Sequence, residues 1–155
     1  MDVEADKEYV YRLLNSPKFI KYIGDRGVRS VEQAANFIEN RYRQSYRDHG
    51  YGLYAVRLIE NGEPIGICGY VRRESLEGPD IGFAFLPDYE RLGYGLESAS
   101  AMLAYGRNTL EFATIRAITS IDNDASDHLL HKLGFQFDKL IDGDGESLKL
   151  YITEL

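Results

Sequence analysis

The chain has 155 residues, 44% hydrophobic and 28% charged, the proportions of an ordinary globular protein long enough to bury a core. A formal net charge of −7 argues against a general nucleic-acid binder, and no apolar run approaches the length of a membrane span. The single cysteine, Cys68, rules out an internal disulfide, and its setting in Ile65-Gly66-Ile67-Cys68-Gly69 reads as that of a buried small hydrophobe. Met1 to Lys7 is acidic and lacks the apolar stretch of a signal peptide, so a cytoplasmic location is expected. One domain spanning residues 1–155 is expected, with no membrane or direct nucleic-acid partner.

The first helix is expected over Ala5 to Asn15, with Tyr9, Leu13 and Leu14 as its apolar stripe and Asn15-Ser16-Pro17 as its end. A second runs from Val31 to Asp48, where Val31, Ala34, Ala35, Ile38 and Tyr42 recur at helical spacing. Ser30 and Gln33 stand at capping-box spacing at its start. Tyr51 to Glu60 and Pro64 to Arg72 read as a hairpin around Asn61-Gly62, and Ile81 to Leu86 as a third strand stopped by Pro87. A glycine-bearing turn leads into a helix from Gly95 to Asn108, expected to turn Leu96, Ala99, Leu103 and Leu110 to the sheet. Thr114 to Ile121 is β-branched and reads as a strand, and Ala125 to Leu133 as a short helix closed by Gly134. Phe135 to Ile141 and Ser147 to Thr153 form a final strand pair around Asp142-Gly143-Asp144-Gly145. The central strand–helix–strand unit requires a parallel pair and the hairpins antiparallel ones, so the expected architecture is an α/β mixed, twisted sheet flanked by helices.

The most chemistry lies between the third strand and its helix. Gly93 and Gly95 let the backbone turn tightly where the first helical N–H groups are unpaired, an arrangement suited to a phosphate. A plain strand-to-helix turn accounts for the same glycines. A dinucleotide fingerprint is excluded because Ser98 holds the place of its third glycine, and a P-loop because Gly-Lys-Ser/Thr is missing. The histidines His49, His128 and His131 lack partner cysteines or carboxylates at zinc-ligand spacing, so no metal is expected.

Pro87-Asp88-Tyr89-Glu90-Arg91-Leu92-Gly93-Tyr94-Gly95-Leu96-Glu97-Ser98-Ala99 resembles motif A of the GNAT-superfamily N-acetyltransferases, and more narrowly their RimJ/RimL-type branch. Glu90 departs from the Gln or Arg usual there. Asn123-Asp124-Ala125-Ser126-Asp127-His128-Leu129-Leu130-His131-Lys132-Leu133-Gly134-Phe135 resembles the family's motif B, in which Asn-x-x-Ser opens a helix that closes on Lys-Leu-Gly-Phe. The family's usual first strand has no counterpart before the first helix, so the resemblance implies a sheet lacking that strand.

The resemblance also implies acetyl-CoA as co-substrate, a primary amine as acceptor (a small molecule or a protein N-terminus), and a monomer or homodimer. Its cofactor residues would be Phe83, Ala84, Phe85 and Leu86 on the strand and Arg91, Leu92, Gly93, Tyr94, Gly95 and Leu96 at the turn. Asn123, Ser126 and Lys132 would follow from motif B. Ser126 would protonate the departing thiolate and Asp80 would accept the amine proton through water, with a solvated strand-end acid as the alternative for Asp80. Asp25 and Arg26, between the early helices, would meet the acceptor, and Glu74 and Glu77 would favour a cationic one. The alternatives are an inert acyl-CoA-binding or scaffold domain, and a phosphate-binding domain of another family.

Overall fold

The computed structural model describes residues 1–143 and 145–155. Helix α1, Val3–Leu14, opens on Asp2, whose side chain accepts from the Ala5 N–H at 2.8 Å. Ser16-Pro17 does not merely end this helix. It starts a further one, α2, Pro17–Tyr22, because proline at the first helical position costs no hydrogen bond. The expected second helix forms with Ser30 as N-cap, its hydroxyl accepting from the Gln33 N–H at 3.1 Å. It is not uniform: α3, Val31–Phe37, passes into a π-helical stretch, Ile38–Arg43, and then into α4, Gln44–His49.

Strands β1, Leu53–Arg57, and β2, Pro64–Val71, pair as the expected hairpin, and β2 pairs antiparallel with β3, Asp80–Phe85, along its length. Helix α5, Tyr94–Asn108, leads to β4, Thr114–Ser120, parallel to β3. Helix α6, Asp124–Lys132, precedes β5, Gln136–Gly143, and β6, Glu146–Glu154. Asp144, within the expected final turn, lies outside the described residues. The sheet order is β1-β2-β3-β4-β6-β5, so the last strand inserts beside β4 and β5 takes the edge. No strand precedes α1 among the described residues.

Side chains alternate across each strand, which divides the core in two. Ile67, Ala84 and Leu86 pack under α1 to α4 with Val10, Leu13, Ala34 and Ile38. On the other face Cys68, Ile81, Phe83, Ile115 and Ala117 pack against Ala99 of α5 and Leu130 of α6. Cys68 is buried as expected, and burial pushes its thiol up to about 11. The buried carboxylate of Asp6 in α1 pairs with Arg57 of β1, tying the helical layer to the sheet edge.

Candidate active site

Strands β3 and β4 meet at a single rung, Asp80 opposite Arg116, where the Arg116 N–H donates to the Pro79 carbonyl at 3.1 Å. Beyond it, toward their C-terminal ends, they part. Backbone directions along β3 follow from its pairing with β2. The Leu86 N–H donates to Ile65 of β2, so the Ala84 N–H shares that direction and the N–H groups of Phe83 and Phe85 face the gap toward β4. A cleft of about 1240 Å³ runs through this region, lined on one side by the start of α5 and on the other by α2 and the α3–α4 run.

The glycine turn borders the gap. After Leu86 the chain makes a short 3₁₀ turn at Pro87–Tyr89 and then takes left-handed conformations at Arg91, φ 61°, and Gly93, φ 88°. Gly93 is the N-cap of α5, leaving the next N–H groups unpaired within the helix and pointed at the cleft mouth. Gly95 serves differently: a Cβ there would lie 3.2 Å from Leu129 of α6 and 3.7 Å from the Phe85 ring, so its lack of a side chain lets the two helices and β3 close up. Leu96, expected to face the sheet, is 37% exposed, and Leu92 is 61% exposed. Both stand at the rim, because α5 begins at the edge of the gap, where no strand lies beneath that side of it. Tyr94 packs its ring 6.3 Å from that of Tyr89.

Motif B residues lie on the opposite wall. The Asn123 side chain caps α6, its oxygen accepting from the Ser126 N–H at 3.2 Å. Ser126 is therefore free of the capping duty, half-buried in the first turn and lining the cleft. Lys132 is exposed at the far end of α6 and lines the same cleft.

Asp80 is not a solvated strand-end acid. It is 1% exposed and accepts from the Arg73 Nε through both oxygens, at 3.0 and 3.2 Å. Burial pushes its carboxyl up to about 6, against the pull of Arg73. By strand alternation its side chain lies on the α1–α4 face, as do those of Arg116 and Ser120. Asp80 thus stands at the closed end of the gap, on the face opposite α5.

Of the loop residues expected near an acceptor, Arg26 lines the cleft. Asp25 turns into its own loop, bound by Arg29 at 2.5 Å and by the Gly27 N–H at 2.8 Å, and the Arg29 bond lowers its carboxyl to about 2. Glu77 reaches outward to Arg116 at 3.3 Å and is 91% exposed. The sequence reading missed α2. Lys18 at its start binds Glu90 at 2.8 Å, and at its end the Tyr22 carbonyl accepts from the Ser120 hydroxyl at 2.9 Å. The available signal was Ser16-Pro17, which suits an N-cap and first helical position as well as a stop.

The chain as a whole has counterparts among known proteins. The family model for the acetyltransferase (GNAT) domain matches residues 2–136. The chain belongs to the GNAT acetyltransferase family. This acetyltransferase is 27% identical over 134 residues to YoaA of Bacillus subtilis strain 168, an uncharacterized N-acetyltransferase, covering 86% of this chain and 75% of YoaA. Its fold superposes on an acetyltransferase from Agrobacterium tumefaciens with a TM-score of 0.82 at 21% identity, covering 97% of this chain and 86% of the other. It also superposes on spermidine N-acetyltransferase from Vibrio cholerae, solved with CoA and spermine, with a TM-score of 0.78 at 15% identity, covering 97% and 90%. This enzyme's six-stranded mixed sheet flanked by helices therefore matches the fold of solved acetyltransferases.

Proposed function

We propose that this acetyltransferase moves an acetyl group from acetyl-CoA to a primary amine by direct attack within a ternary complex. The observation that carries the reading is the gap between β3 and β4, which opens directly onto the start of α5. A pantetheine arm needs a slot bearing unpaired backbone donors, and a pyrophosphate needs a helix start that a side chain does not block. The residues present fit both. The Phe83 and Phe85 N–H groups face the slot, with Ala84 and Leu86 completing its strand wall. Arg91 through Leu96 frame the helix start, where the Arg91 side chain offsets phosphate charge while Glu90 is held by Lys18.

Acetyl-CoA supplies an acyl group already activated as a thioester. The chain's own tasks are to orient it, take a proton from the amine and return one to sulfur. The Phe85 N–H is aimed to donate to the thioester carbonyl oxygen, where charge grows as the amine attacks. Asp80, with a carboxyl raised to about 6, is ionised at neutral pH yet basic enough to receive the amine proton through water. The Ser126 hydroxyl, free of the helix cap, is the proton donor to the leaving sulfur. Asn123 holds the helix start that carries Ser126, and Lys132 at the far end of α6 adds positive charge along the same cleft.

The Pro87-to-Ala99 motif supports a RimJ/RimL-like assignment, a branch that includes ribosomal-protein N-terminal acetyltransferases. A cytoplasmic enzyme of one domain fits this reading. Calorimetric titration of acetyl-CoA into the protein tests it. Saturable one-site binding that Gly93→Val weakens supports the reading, and no binding at millimolar acetyl-CoA defeats it.

A further inference from the structure

Val71 at the end of β2 pairs with Asp80 at the start of β3, so the connection between them, residues 72–79, begins and ends at one rung of the sheet. Within it the Leu76 N–H donates to the Arg73 carbonyl at 3.3 Å, and the Arg73 side chain reaches Asp80, its Nε donating to both carboxylate oxygens at 3.0 and 3.2 Å. Both residues line the cleft, Asp80 buried and the Arg73 side chain 37% exposed. Resting on the acetyl-transfer reading, we propose that Arg73 is a positioning residue for that reaction: it orients the Asp80 carboxylate and keeps it charged, so that Asp80 can take the acceptor amine's proton at neutral pH.

The contact suits that task. A single N–H shared between two oxygens holds the carboxylate by one edge. A carboxylate offers about four lone-pair sites, so sites remain for a water that carries the proton. The charge balance points the same way. Burial favours the protonated acid, and a protonated acid accepts nothing, whereas an adjacent guanidinium favours the carboxylate. The two opposed effects leave the Asp80 carboxyl at about 6. Arg73 makes no second ion pair among the described residues, so its charge is committed to Asp80.

The other charges around Asp80 are engaged elsewhere. Arg116 of β4, opposite Asp80 at the one rung, reaches Glu77 at 3.3 Å. A Cβ at Gly78 would stand 2.9 Å from the Arg116 guanidinium, so the glycine makes room for it beside the loop. Arg72 and Glu74, which flank Arg73, are exposed. On the helical side of the cleft Lys18 binds Glu90, Asp48 accepts from Gln44 at 2.8 Å, and Arg41 rests over the Phe37 ring. The His49 ring packs 5.8 Å from that of Tyr51, and Arg26 acts on the Tyr42 hydroxyl. Among the described residues the charge that acts on Asp80 is that of Arg73.

Two measurements on wild type, Arg73→Gln, Arg73→Lys and Asp80→Asn test the proposal. The first is ¹³C NMR titration of the Asp80 carboxyl in the purified protein, its signal assigned by its loss in Asp80→Asn. The second is the pH dependence of turnover with acetyl-CoA and a panel of amino acids, short peptides with free N-termini and polyamines. An opposite charge in contact lowers a carboxyl by about one to three pH units, so Arg73→Gln should move the Asp80 midpoint from about 6 to about 7 or beyond. The lower limb of the rate profile should move with it, costing turnover at pH 6 on the order of tenfold and recovering at higher pH. A purely structural role would lower turnover without moving the limb. Arg73→Lys keeps the charge and should hold both midpoints near about 6, so a midpoint of about 7 or beyond in that variant overturns the proposal even where Arg73→Gln does not fold. An unmoved midpoint in folded Arg73→Gln, or a lower limb that survives in Asp80→Asn, also overturns it and leaves acetyl transfer standing. Absent turnover of every amine by the wild type sinks the acetyl-transfer reading and this inference together.

Discussion

Lys18, in the first turn of α2, binds Glu90, the residue just before the left-handed turn at Arg91, at 2.8 Å. With the Ser120–Tyr22 bond at the other end, this pins α2 across the open ends of β3 and β4. It also accounts for an acid beside a proposed phosphate site: the Glu90 charge is taken up by α2. Both side chains are partly exposed, at 47% and 23%, so the pair is worth at most about 1 kcal/mol. Glu90→Gln should therefore leave Tm nearly unchanged and tighten acetyl-CoA binding severalfold by removing negative charge. Calorimetry with a melting curve checks both, and weaker binding would refute this account of Glu90.

The two glycines of the turn should respond differently. At Gly93, φ 88°, any Cβ is strained by roughly 1–2 kcal/mol, but nothing lies within 4 Å of it. Gly93→Val should thus lose acetyl-CoA affinity well beyond its stability cost, because the side chain would stand where the phosphate approaches. Gly95→Val meets Leu129 at 3.2 Å and should lower Tm as well. Equal affinity for acetyl-CoA in Gly93→Val and wild type would remove the turn as the pyrophosphate site.

Local signals were legible in the sequence where one residue decides the structure. The Ser30 cap, the Asn61-Gly62 turn and Gly134 closing α6, at φ 92°, all act within a few positions of themselves. The strand–helix alternation likewise supplied the mixed sheet and its parallel pair. Relationships between distant segments were not legible. The burial of Asp80 depends on Arg73 and on the helical layer above it, and the Lys18–Glu90 pair spans a helix the pattern gave no length to reveal. The π-helical stretch was hidden because Val31, Ala34, Ala35, Ile38 and Tyr42 fit plain helical spacing. The one-rung gap is a property of strand pairing, to which the composition of β3 and β4 is indifferent.

Asn123 and Ser126 separate structure from catalysis. Asn123→Ala removes the α6 cap and should cost about 1 kcal/mol of stability. Ser126→Ala leaves that cap intact, so Tm should hold while kcat falls by about 10²–10⁴-fold, with acetyl-CoA Kd little changed. Unchanged kcat in Ser126→Ala would take it off the catalytic list, and weaker binding with modest rate loss would make it a cofactor contact.

Asp80 should leave a mark in the pH profile. Its carboxyl is raised to about 6 and must be ionised to accept a proton, so the rate should rise with pH through about 6 and fall below it. An α-amine acceptor contributes its own limb near about 8, far enough away to separate the two. Asp80→Asn should abolish the lower limb and slow turnover at neutral pH. A lower limb that persists in the variant would assign it to another group.

The central claim is acetyl transfer to an amine, and direct product detection tests it best. Purified protein is incubated with acetyl-CoA and a panel of primary amines, including amino acids, short peptides with free N-termini and polyamines, with thiol release and the mass of each amine followed together. The account predicts thiol release that depends on an amine and matches the amount of N-acetylated product, both lost in Gly93→Val. Tight acetyl-CoA binding with neither thiol release nor acetylated amine across the panel would contradict it and leave an inert CoA-binding protein.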